Sequence, residues 1–76
     1  MDPNEILKLL RAQPFEAFVI HLVDGRRFEV RHPELMLVTK RSLFLGWHSN
    51  GNEGPADDWA IFSPIAIATL EPMGSE

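Results

Sequence analysis

The chain has no cysteine, so neither a disulfide staple nor a thiolate metal site is open to it. It also lacks an apolar run long enough to span a membrane, and it has no basic segment leading into an apolar leader. A cytoplasmic protein with no membrane partner is expected. Catalytic signatures are equally scarce. Ser42, Ser49, Ser63 and Thr39 stand in no nucleophile motif. The segment Asn50-Gly51-Asn52-Glu53-Gly54 is glycine-rich, but it precedes a strand and carries no lysine to meet a phosphate. Asp57 and Asp58 are neighbours, and neighbours on a strand point to opposite faces, so they read as solvated residues at a strand start. The three histidines, His21, His32 and His48, show none of the tight spacings of metal ligands, and His32-Pro33-Glu34 reads as a strand-end corner. No enzyme activity, cofactor or metal is expected. A net charge of −4 and a pI near 5.2 argue against bulk electrostatic binding of nucleic acid.

What the chain does have is a well-specified β core. In Phe18 to His32, the apolar residues Phe18, Ile20, Leu22, Phe28 and Val30 all fall on even positions, on both sides of Asp24-Gly25. Side chains alternate faces along a strand, so these five can line one face of a hairpin. Directly opposed residues share a face, and pairing even with even requires an odd number of loop residues. A two-residue turn would set Ile20 opposite Glu29 and mix the faces. A three-residue loop, Val23-Asp24-Gly25, sets Leu22 opposite Arg26, Ile20 opposite Phe28 and Phe18 opposite Val30. Gly25 then takes the left-handed position that closes a type I turn with a bulge.

Before the hairpin comes a helix, residues 1–13. Asp2 caps it, Pro3 suits its first position, Glu5 stands as in a capping box, and Ile6, Leu7, Leu9 and Leu10 form its apolar stripe. Pro14 stops it. After the hairpin, Pro33 interrupts the second strand. Leu35 to Thr39 and Ser42 to Trp47 follow as strands joined at Lys40-Arg41. In the latter, Leu43, Leu45 and Trp47 share one face while Phe44, Gly46 and His48 share the other, which suits a central strand. Residues 48–57 read as a flexible loop. Trp59 to Phe62 resumes a strand, Ser63-Pro64 breaks it, Ile65 to Leu70 is the last apolar segment, and Glu71 onward reads as a fraying tail, with 73–76 outside the folded unit. The expectation is a single mainly β (α+β) domain, 1–76: the helix, then about five short antiparallel strands bent into a small barrel over 15–72.

The order of helix and five bent strands resembles the Sm-like family. Leu22-Val23-Asp24-Gly25-Arg26-Arg27-Phe28 is similar to its first signature, and Ile67-Ala68-Thr69-Leu70 to the closing strand of its bacterial branch. The resemblance implies an Sm/SH3-like barrel, a ring of copies, and RNA as ligand. The family's bending glycine falls at Val30, its base-cradling Asp and Asn near Met36 and Lys40, and its Lys-His pair near Pro64 and Ile65, so those residues are replaced. The pattern Gln13-Pro14-Phe15, Phe18, Asp24-Gly25-Arg26, Phe28, His32-Pro33-Glu34 and Leu70-Glu71-Pro72 resembles a group of small, uncharacterised bacterial single-domain proteins. That likeness implies a stand-alone protein and brings no activity or cofactor.

Five of the seven cations, Arg26, Arg27, Arg31, Lys40 and Arg41, lie between positions 26 and 41. Arg27 and Arg31 fall on the odd face of the hairpin with Glu29 between them, where cross-strand pairing on a solvated face is the default account. With Lys40 and Arg41 they form the candidate phosphate or RNA stripe, and Trp47 and Trp59 are candidate stacking residues. A domain this small, with no covalent staple, commonly relies on copies of itself. Val19, Val23, Phe44 and Ile61 are apolar beyond what one sheet face can bury. The functional expectation is a homo-oligomeric, non-catalytic binding module, Sm-like, with RNA as its sharper ligand. Its rival is a protein-interaction adaptor that binds no nucleic acid.

Overall fold

Two prolines divide the β structure in half. In the computed structural model, which describes residues 1–49 and 55–73, Pro33 and Pro64 each open a short 3-10 turn, Pro33–Leu35 and Pro64–Ala66. Proline has no N–H to give a ladder, so a strand running into it must turn or end. The chain therefore crosses from one sheet to another at both points. The first sheet has the order β2-β1-β6, built from β1 (Phe18–Leu22), β2 (Arg27–Val30) and β6 (Ile67–Pro72). The second has the order β3-β4-β5, from β3 (Met36–Val38), β4 (Leu43–Trp47) and β5 (Asp58–Phe62). All pairings are antiparallel.

The strand count and the bounds of several elements differ from expectation. Where about five strands were expected, there are six among the described residues, and they pair as two three-stranded antiparallel sheets. Leu35 belongs to the first 3-10 turn, and Ile65 and Ala66 to the second, so the strands after each proline start later than the apolar pattern suggests. Glu71 and Pro72 are not tail: they pair with Val19 and Phe18, and the Met73 N–H donates to the Ala17 carbonyl at 3.1 Å. The flexible loop expected at 48–57 and the tail at 73–76 lie in part, at 50–54 and 74–76, outside the described residues.

The β1–β2 hairpin follows the parity argument. Phe18 pairs with Val30 and Ile20 with Phe28, and the Leu22 N–H reaches the Arg26 carbonyl at 2.8 Å. Gly25 closes the loop at φ +95°, a conformation a Cβ would disfavour. Two apolar faces suit a strand that is either central or covered on both sides; β4 is the central strand of its sheet.

The inward faces of the two sheets meet over Phe18, Ile20, Leu22 and Val30 from one side and Met36, Leu43, Leu45 and Phe62 from the other. Phe28 of the first sheet stacks on Phe62 of the second, with ring centroids 5.3 Å apart, and leans on Trp47 at 5.7 Å. Aromatic faces in offset contact add to area burial, so this trio ties the sheets at one end. The helix α1, Pro3–Arg11, is shorter than the expected 1–13; the Asp2 carboxylate accepts from the Asn4 N–H at 3.0 Å and the helix ends against Ala12. It inserts Ile6, fully buried, with Leu10 packed beside it.

Candidate functional site

The outward faces of the two sheets carry the candidate residues, and they differ in kind. On the first sheet, the odd positions of β1 and β2 point away from the core, as do Thr69 and Glu71 of β6, whereas Ile67, across the register shift, turns into it. Arg27 and Arg31 flank Glu29 on β2, and both turn onto its carboxylate, at 3.8 and 2.9 Å. Across β1, the His21 ring nitrogen lies 2.7 Å from the Glu71 carboxylate. Arg26 folds back on Asp24 within the hairpin loop, through its Nε at 2.9 Å and its backbone N–H at 3.0 Å. The Arg26 backbone N–H, first, and then the guanidinium hold the Asp24 carboxyl below its ordinary range. Val19, expected among the surplus apolar residues, is buried, and its partners across the two ladders are Glu29 and Glu71.

Lys40 and Arg41 are at the β3–β4 turn of the second sheet, while Arg27 and Arg31 belong to the β2 side of the first. That turn is held by Thr39, whose hydroxyl accepts from the Ser42 N–H at 2.9 Å and donates to the Ser42 carbonyl at 3.1 Å. Both cations are exposed, and among the described residues neither has an ion-pair partner.

The outward face of the second sheet is apolar. Leu37, Phe44 and Ile61 are in direct register across β3, β4 and β5, and Trp59 follows beside Gly46. Leu37 is 60% exposed, Trp59 66% and Ile61 47%. Gly46 has no side chain because Ala56 lies over it: an added Cβ would fall 2.9 Å from the Ala56 Cβ. Ala56 belongs to the segment that returns to β5, where the Asp57 N–H reaches the Trp47 carbonyl at 3.1 Å and Asp57 Oδ1 accepts from the Ser49 N–H at 2.8 Å. That backbone donor is the main reason the Asp57 carboxyl lies below its ordinary value, with a smaller pull from His48. Sequence reasoning names Phe44 and Ile61 as surplus but misses that Leu37 and Trp59 complete the same face. The signal is present in the odd–even register of β3 against β4.

Trp47 and Trp59 part company here: Trp47 is packed with Phe28, and Trp59 alone is open to solvent. His32 and His48 meet edge to face, their centroids 5.7 Å apart, and His32 Nδ1 lies 3.8 Å from Glu34. Among the described residues no group of three or more His, Cys, Asp or Glu side chains is placed to hold a metal ion. A shallow depression outside α1, lined by residues including Asp2, Glu5, Lys8 and Arg11, does not gather these histidines. No helix among the described residues is long and apolar enough to cross a membrane.

The fold and its surfaces define a small, mainly β domain of two antiparallel three-stranded sheets with one N-terminal helix. Comparison with protein families, with curated proteins and with solved structures returns no match.

Proposed function

We propose that the chain is a non-catalytic binding module that works by self-association. The observation that carries this reading is the apolar outward face of β3-β4-β5, where Leu37, Trp59 and Ile61 are exposed together in cross-strand register. Singly exposed apolar residues need no explanation, but a contiguous row across three strands marks an interaction surface. The small size of the domain and its lack of covalent staples point the same way.

The resemblance to Sm-like proteins adds a narrower form: a closed barrel, a ring of copies, and RNA held by the cations. The exposed Lys40 and Arg41, without ion-pair partners among the described residues, favour it. Arg27 and Arg31, both drawn onto Glu29, weigh against it, because an anion must displace that carboxylate first. Native mass by light scattering, with the 260/280 nm absorbance ratio across the same peak, tests both forms. A mass of two or more copies supports self-association, and a ratio lowered by nuclease supports the RNA form. A monomer at every concentration overturns self-association and leaves an adaptor for another protein in its place.

A further inference from the structure

We infer that the outward face of β3-β4-β5 packs on the same face of a second copy, about a two-fold axis lying between the two sheets and running across their strands. This rests on the self-association reading and names its contact. The argument is one of charge placement. At one end of the sheet the β3–β4 turn carries Lys40 and Arg41. At the other end Asp57, which is exposed, comes just before β5 on the outward parity of Trp59 and Ile61, while Asp58 opposes Trp47 and shares its inward parity. Between these ends the face is Leu37, Phe44, Ile61 and Trp59, with no charge among them. The surface is therefore basic, then apolar, then acidic along the direction of β4.

Two identical faces can be brought together by a two-fold axis in the plane between them in two simple ways. With the axis along the strands, each basic end lies over the other basic end. With the axis across the strands, strand direction is reversed, and the end carrying Lys40 and Arg41 of each copy lies over the end carrying Asp57 of the other. Only the second arrangement is self-complementary, and an isologous contact satisfies both ends at once. The reversal also sets Trp59 of one copy near Ile61 of the other, because their β4 partners Gly46 and Phe44 stand on either side of the strand centre at Leu45. Ala56 lies over Gly46 on this face, so it stands within the contact and the side chains of Leu37, Phe44, Ile61 and Trp59 pack around it. Sheets packed face to face otherwise lie about 10 Å apart.

The face is small. Strands of three, five and five residues present at most roughly 17 by 14 Å, well under the ~800 Å² per partner of a standard interface. The dimer is accordingly weak and concentration-dependent, and salt weakens it further.

Sedimentation equilibrium over a concentration series tests this with four proteins of the full chain, each checked for fold by circular dichroism. The wild type is expected to dimerise. A variant carrying Lys40→Glu and Arg41→Glu, and another carrying Asp57→Lys, are each expected to lose at least tenfold in self-affinity, because each places like charges at both ends. Asp57→Lys also removes the acceptor of the Ser49 N–H, and recovery in the mixture separates lost charge from lost fold. Mixed together, the two are expected to form a heterodimer, since their ends are again complementary. A fourth protein, Trp59→Lys with Ile61→Lys, changes only exposed side chains and is expected to stay monomeric. A wild type that is monomeric throughout overturns self-association itself. A wild type that associates while the lysine pair leaves its affinity unchanged overturns only the choice of face. Loss in the lysine pair, with no recovery in the mixture of charge variants, overturns the two-fold arrangement.

Discussion

The two sheets bury equivalent inward faces and treat their outward faces in opposite ways. The outward face of β2-β1-β6 is satisfied within the chain: Glu29 takes Arg27 and Arg31, Glu71 takes His21, and Val19 is buried. The outward face of β3-β4-β5 is left apolar, with the Lys40-Arg41 cations at one end and the Asp57 carboxylate at the other. On the self-association reading proposed above, the difference assigns the contact to the second sheet. A face whose charges are already matched by its neighbours offers a partner little, because each contact it could give must first be broken. An apolar face left open to solvent gains by meeting another surface.

The largest test of that contrast uses one residue type on the two sides of the same sheet. Leu43 is fully buried between the sheets, and Leu37 points outward from the adjacent strand. Leu43→Ala is expected to cost about 2–5 kcal/mol, a large part of the stability of a domain this small. Leu37→Ala, measured by urea unfolding in dilute solution, is expected to change stability by less than about 0.5 kcal/mol. Equal losses at the two positions would mean that Leu37 is covered within the chain, and the contrast between the faces would collapse.

The glycines sharpen it next. At Gly46 an added methyl meets Ala56 at 2.9 Å, and an Ala Cβ can yield only if its backbone moves. Gly46→Ala is expected to cost about 1–3 kcal/mol by overpacking. Gly25 has open space around it but holds φ +95°. Gly25→Ala is expected to cost about 1 kcal/mol through backbone strain. Thermal melts of the two variants separate them; a milder effect at Gly46 would show that the segment over the second sheet is loosely held.

Much of this was legible in local pattern. The β1–β2 register follows from parity alone, since five apolar residues on even positions leave only one loop length that keeps them together. The central place of β4 is consistent with its two apolar faces. What pattern could not reach was long-range. Glu71 reads as polar tail until β6 is laid against β1, where it becomes the partner of His21 across fifty residues of chain. The division into two sheets was hidden for a related reason. Pro33 and Pro64 are legible as interruptions, but whether a bent strand stays in its ladder or leaves it depends on packing, not on the proline. The outward face of the second sheet needed the β3–β4 and β4–β5 registers together before Leu37, Phe44 and Ile61 could be seen as one row.

On the first sheet, Glu29→Gln should release both arginines with little harm. All three side chains are substantially exposed, so the loss is expected to stay below about 1 kcal/mol and to shrink as salt is raised. A loss of several kcal/mol in a guanidinium chloride or urea titration would mean that the charge lattice is part of what holds the sheet, and not merely a finish on its surface.

The smallest expected effect is in acid, and it touches both sheets. Asp24 in the β1–β2 loop accepts from the Arg26 N–H, and Asp57 before β5 accepts from the Ser49 N–H; both carboxyls lie below their ordinary value for that reason first. A carboxyl that is more acidic folded than unfolded binds protons more readily in the unfolded chain as pH falls. The stability it contributes is therefore complete above its unfolded value, near pH 4, and is lost as pH drops through the lower folded value. Carboxyl carbon NMR titration should place both midpoints below those of the same residues in the acid-unfolded chain. Asp24→Asn should flatten the acid limb of unfolding without altering self-association, because Asp24 sits on the sheet whose charges are already matched. Asp57→Asn should flatten it and also weaken the dimer, because its carboxylate stands at the acidic end of the open face. If the two substitutions act alike on association, the two sheets do not differ in the way their surfaces suggest.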